Sequence, residues 1–181
     1  PAGPGWGAGV VIGRDGGTGV ANILNGGTLR VVDKVGVAGR SNTDYIYVGR
    51  DSGTGTMKLN KGTVGVKGTG AGLLVGINDI EGIAGAKGTL VLEEGSLVRL
   101  TSLPLPKGST STAYIHSSMS VGRNDSTGTA TVRNSAIEIE SPSGEAYLAV
   151  GRNGGTGTLT VAGTGKAGEG VFLKSGKAFH A

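Results

Sequence analysis

Apolar and polar positions alternate along most of this 181-residue chain, in runs too short for helices and punctuated by glycine. The cleanest runs read "VVIG", "YIYVG", "LLVG", "SMSVG" and "YLAVG". Their alternate positions form two apolar columns, Val10, Ile46, Leu73, Met119, Leu148 and Ile12, Val48, Val75, Val121, Val150. An apolar period of two predicts strands with one buried face. The second column is the expected core ladder.

The same punctuation follows each run. First come Arg14, Arg50, Ile77, Arg123 and Arg152, then Asp15, Asp51, Asn78, Asn124 and Asn153. A Gly-Thr step comes next at Gly55-Thr56, Gly88-Thr89, Gly128-Thr129 and Gly157-Thr158, with Gly19-Val20 as a degenerate copy. The step opens a second alternating run, "VANI", "TMKL", "TLVL", "TATV" and "TLTV". Turns such as "NGG", "NKG", "EEG" and "RNS" then lead into a third run, "TLRVV", "TVGV", "LVRL" and "IEIE". In the last of these, Ile137 and Ile139 face one way while Glu138 and Glu140 face the other.

Successive Gly-Thr steps lie 36, 33, 40 and 29 residues apart. Periods of this size point to a solenoid, a propeller or an array. A propeller needs four strands per blade, and each period here holds three. The leucine-rich consensus is missing. The expected fold is therefore all-β: a parallel, right-handed β-helix with three short strands per coil and about five coils. Coils start near 19, 55, 88, 128 and 157 in a single domain spanning 1–181. About six aliphatic side chains per coil, at ~1.5–3 kcal/mol each, supply a core without large aromatics. Gly with Asn or Asp at each corner suits the tight bend, since these residues tolerate left-handed backbone. The repeat is read mainly as a folding device.

Composition supports this reading: 38 Gly, two Phe, one Trp and no Cys. Without cysteine there is neither a disulfide scaffold nor a thiolate metal site. A formal charge of +4 comes from dispersed Lys and Arg with few aromatics, so nucleic acid is not an expected partner. No apolar run approaches the ~20 residues of a membrane span. The chain opens at Pro1 without Met or a signal region, which reads as a mature segment or a fragment of a longer assembly.

"YIYVGRDSGTGTMKLNKG" and "YLAVGRNGGTGTLTVAGTG" resemble the repeat of type V secretion passenger domains and PEP-CTERM-associated bacterial surface proteins. The resemblance covers most of residues 9 to 165. It implies a secreted, right-handed β-helical stalk, adhesin or matrix component, and it is silent about activity. The chain departs from the pattern at "INDIEGIAGA" (77 to 86) and in the long connection after Leu100.

Loops on a rigid scaffold often carry binding. The variable connections are "KGTGAG" (67 to 72), "SPSG" (141 to 144), "KVGVAGRSNTD" (34 to 44) and "TSLPLPKGSTSTAYIHS" (101 to 117). The longest offers Lys107, Tyr114 and His116, and Tyr45 and Tyr47 join them as contact-capable groups; a neutral insertion or a subunit interface is the plainer account. Arg14, Arg50, Arg123 and Arg152 form either a positive stripe for acidic sugars or, more simply, a corner ladder paired with Asp15 and Asp51. Outward Thr56, Thr89, Thr129 and Thr158, with Thr131 and Thr160, are similar to the threonine ranks of ice-binding β-helices, although β propensity alone favours them. Glu138 and Glu140 share one face in the manner of glycosidase carboxylates, or are simply solvated. His116 and His180 lack ligand partners at metal spacing, no calcium loop occurs, and "GTGKAG" (163 to 168) opens no helix.

The leading expectation is a non-enzymatic extracellular or cell-surface structural or adhesive rod without cofactor or metal. Its partners would be copies of itself stacked end to end, further coils, glycans or host proteins. The alternatives are a polysaccharide-binding or polysaccharide-cleaving β-helix and an ice-binding protein.

Overall fold

The computed structural model describes residues 8–32, 43–79, 85–104 and 115–176. The first coil is β1 (Gly9–Arg14), β2 (Thr18–Leu24) and β3 (Thr28–Val32). The second is β4 (Thr43–Arg50), β5 (Thr54–Asn60) and β6 (Thr63–Gly68), and the third is β7 (Gly70–Ile77), β8 (Lys87–Glu93) and β9 (Leu97–Ser102). The fourth is β10 (His116–Arg123), β11 (Thr127–Arg133) and β12 (Ala136–Ser141), and the fifth is β13 (Glu145–Arg152), β14 (Thr156–Ala162) and β15 (Gly170–Ser175).

Every strand pairs in parallel with its equivalent one coil away, giving three five-stranded sheets. Sheet A is β1-β4-β7-β10-β13, sheet B is β2-β5-β8-β11-β14 and sheet C is β3-β6-β9-β12-β15. The register is the one the sequence columns require: Ile12 pairs with Val48, Val48 with Val75, Val75 with Val121 and Val121 with Val150. A one-residue slip would turn each column to solvent, so a period-two pattern with one buried face fixes the register. The fold is a parallel β-solenoid of five three-stranded coils.

The inward columns of the three sheets meet in one core, with Ile46, Met57, Leu73, Leu90, Leu92, Leu100 and Met119 fully or almost fully buried. Val48, Val75 and Val121 lie there too, and Ile12 is 6% exposed. Val150 differs. It continues the ladder but is 43% exposed, because among the described residues no further strand lies over β13.

Connections also differ from the reading of the sequence. The longest is shorter than 101 to 117 at both ends, because Thr101 and Ser102 belong to β9 and His116 and Ser117 to β10, so His116 is a strand residue. "KGTGAG" is almost wholly strand, since only Thr69 separates β6 from β7. β15 closes the fifth coil through "GVFLKS" after a longer turn, a third run that the shorter turns of the other coils do not lead one to expect.

The corners follow from local conformation. Gly13, Gly49, Gly76, Gly122 and Gly151 all have φ between 67° and 74°, a region that costs a side-chain-bearing residue energy. Asp15, Asp51, Asn124 and Asn153 take φ near 50°, where Asn and Asp are tolerated best after Gly. Asn78 is not among the left-handed residues, in keeping with the departure of "INDIEGIAGA" from the repeat.

Candidate functional site

Contact-capable groups converge on the outer face of sheet A. Parallel register places Tyr45, Gly72, Ser118 and Tyr147 in one outward row and Tyr47, Leu74, Ser120 and Ala149 in the next. Small residues at 72 and 118 leave room for large rings on either side. The Tyr45 ring lies over Gly72, where a β-carbon would overlap it. Outward-pointing Leu74, Ser118 and Ser120 are only 4%, 1% and 1% exposed.

The rings contact one another. Tyr45 and Tyr47 meet edge to face at 5.6 Å, and His116 stacks on Tyr147 at 6.0 Å with an interplanar angle of 23°. The Tyr45 hydroxyl and His116 Nε2 share a hydrogen bond of 3.1 Å. Burial raises the Tyr45 and Tyr47 pKa values, with neighbouring tyrosines adding to the first and Asp79 to the second. Both phenols are therefore protonated at neutral pH, so the wall offers ring faces and hydroxyl groups rather than a phenolate nucleophile.

Charged groups border the wall at the corner. The Arg50 guanidinium lies 4.3 Å from the Tyr47 ring centre and pairs with Asp51 at 3.0 Å and Asp79 at 3.1 Å. Asp51, whose side chain is fully buried, also receives Arg14 at 3.5 Å and the Asp79 amide at 2.9 Å, while Arg14 reaches its neighbour Asp15 at 3.3 Å. Arg and Asp thus alternate up the first corners, which removes the repulsion expected between stacked like charges. Asn124 continues the ladder by donating to the Asn78 carbonyl at 2.7 Å, and Asn153 donates to Asn124 Oδ1 at 3.0 Å. The buried Nε of Arg123 and the Ser120 hydroxyl find no hydrogen-bond partner among the described residues.

Of the residues the sequence singled out for binding, Tyr45, Tyr47 and His116 come together here, and Lys107 and Tyr114 lie outside the described residues. Sequence reasoning missed Tyr147 and Asp79. Tyr147 was legible in principle, because it falls in the same register row as Tyr45. Asp79 was not, since it belongs to the corner that breaks the repeat.

No family model, no curated protein and no solved structure matches the chain.

Sheet B presents a different surface. Thr56, Thr89, Thr129 and Thr158 stand in one outward row beginning with Val20, and Thr18, Thr54, Thr127 and Thr156 form another with Lys87 among them. Asn22, Lys58 and Val91 interrupt the row of Thr131 and Thr160, so that row and the row of Thr56, Thr89, Thr129 and Thr158 run side by side as threonine only over the fourth and fifth coils. On sheet C the two candidate carboxylates are each held by a cation, Glu138 by Arg99 at 2.6 Å and Glu140 by Lys174 at 3.0 Å. Among the described residues, no group of three or more His, Cys, Asp or Glu is placed to hold a metal ion.

Burial, and then the charge of Arg123, lower the His116 pKa below its ordinary 6.5. On acidification the unfolded chain therefore takes up this proton before the folded one does. The imidazole's share of stability is complete above about pH 6.5 and is lost as pH falls through the folded value. Asp79, whose pKa burial raises above 3.8, acts in the opposite sense at lower pH. Urea midpoints should fall between about pH 7.5 and 5.5, and His116→Gln should flatten that slope. An unchanged slope in the variant would show that another group titrates.

Proposed function

We propose that the chain is a non-enzymatic structural module of a bacterial extracellular or cell-surface assembly, lengthened by coil-on-coil stacking of copies. One observation carries this reading. Every large apolar side chain exposed among the described residues belongs to an end coil: Val11, Val20, Leu24 and Val32 in the first, and Val150, Val161, Phe172 and Leu173 in the fifth. The three coils between them expose none. Of these, Val150, Val161 and Leu173 continue the inward core columns and are left uncovered at the fifth coil, whereas Val11, Val20, Val32 and Phe172 stand in outward rows. An open sheet edge with uncovered core residues pairs with other strands unless something blunts it.

The corner chemistry suits a second copy seated in register. Arg14 reaches Asp51 of the next coil, and Arg50 reaches Asp79 of the next. A copy stacked on the fifth coil would set its Asp15 beside Arg152 in the same relation. The likeness of the repeat to type V passenger and PEP-CTERM-associated surface proteins supports a cell-surface setting, with the aromatic wall of sheet A as the face offered to glycans or host proteins.

Negative-stain electron microscopy at several concentrations tests the proposal. Unbranched filaments one solenoid wide, growing with concentration, are the expected result. Discrete short particles at every concentration would contradict it.

A further inference from the structure

Sheet C holds a feature that the stacking reading does not use. Its outward rows run Arg30, Gly65, Arg99, Glu138, Phe172 and Val32, Lys67, Thr101, Glu140, Lys174. Gly65 leaves a gap in the first row, and around it lies a shallow groove walled by Arg30, Arg99, Lys67, Thr63, Thr101 and Leu97.

Gly65 is not explained by folding. Its φ is not positive, and a β-carbon there would meet only the Arg30 side chain, at 4.0 Å from Cγ. By contrast, a β-carbon on Gly55, Gly62 or Gly88 would overlap backbone atoms of the preceding coil. Glycine inside a strand costs roughly 0.5–1 kcal/mol relative to alanine, and its presence often marks close approach by a ligand.

The groove is also cationic by construction. Arg30 and Arg99 stand on opposite sides of Gly65, about 10 Å apart at two strand spacings, and Lys67 follows two residues along on the same face. Arg99 is steadied by Glu138 at 2.6 Å. Arg30 and Lys67 have no ion-pair partner among the described residues, so two cations and part of a third are available to a ligand. Leu97 and exposed Val32 add apolar surface beside the charges.

We infer that this groove binds an acidic polysaccharide, with one carboxylate or sulfate seated over Gly65 between Arg30, Arg99 and Lys67. Guanidinium forks match planar or tetrahedral oxyanions, and charge-assisted hydrogen bonds are the strong ones. The Leu97 and Val32 side chains then meet the carbon faces of the flanking sugar rings. The site lies on the first three coils and does not depend on stacking, so an outcome of discrete particles by microscopy leaves it standing.

Binding to carboxymethyl-dextran, dextran sulfate and neutral dextran, read by surface plasmon resonance at low salt, tests the inference. The wild-type chain should bind one or both polyanions and not the neutral polymer, and the preferred polyanion identifies the anion. Gly65→Thr keeps the net charge and improves strand propensity but fills the gap; it should weaken binding about tenfold or more without lowering the urea midpoint. Lys67→Gln and Arg30→Gln should weaken it as well. Wild-type affinity in Gly65→Thr would mean attraction by general positive charge and would overturn the groove. So would equal binding of neutral dextran, or binding of neither polyanion.

Discussion

Gly76→Ala is expected to lose about 3 kcal/mol or more of stability, a large share of the roughly 5–15 kcal/mol that holds an ordinary domain folded. Two causes add at this residue. The backbone sits at φ 68°, where a β-carbon costs about 1–2 kcal/mol. That carbon would also overlap the carbonyl oxygen of Thr127 in the next coil. The atoms it meets, in Thr127 and Gly128, are backbone rather than a flexible side chain that could swing away, so the coils must separate locally and the ladder above is disturbed. Gly13, Gly49 and Gly122 stand in the same relation to Thr54, Lys87 and Thr156. Urea denaturation followed by circular dichroism measures the loss; a Gly76→Ala midpoint close to that of wild type would remove the explanation given for the corner glycines.

Gly151→Ala separates folding from assembly. The glycine has the same left-handed backbone, φ 67°, but its β-carbon would meet only its own coil, with Gly155 oxygen at 3.2 Å. The variant should fold and lose only the conformational cost of about 1–2 kcal/mol. In a stack the same carbon would point at the carbonyl of Thr18 in the next copy, as carbons on the other corner glycines point at the coil that follows them. Stacking should therefore be abolished in a protein whose circular dichroism is unchanged. Few substitutions discriminate so well, because the internal and the intermolecular coil contacts follow one pattern.

Much of the solenoid was legible in the sequence because its period-two columns are long and repeated. Ile12, Val48, Val75 and Val121 could be aligned by eye, and the pairing follows that alignment residue for residue. Ends were less legible. Val150 carries the same pattern as Val121, yet its exposure depends on whether a strand lies over it, and a local pattern does not encode that. β15 escaped notice because seven residues separate it from β14, where three suffice between β2 and β3.

The surfaces were legible only in part. Tyr45, Tyr47 and His116 were singled out as separate contact groups, whereas their union with Tyr147 required knowing which coil positions share a row. The groove over Gly65 was invisible for a related reason. In a glycine-rich chain one more glycine carries no signal until its φ and its empty surroundings are known. Arg30, Lys67 and Arg99 come from three different coils, and only the stacking of coils makes them neighbours.

The most direct test of the account is sedimentation velocity of the wild-type chain and Gly151→Ala side by side over a concentration series. Coil-on-coil stacking predicts species that grow with concentration for wild type and a folded monomer at all concentrations for the variant. A monomeric wild type, or equal growth of both proteins, would contradict coil-on-coil stacking.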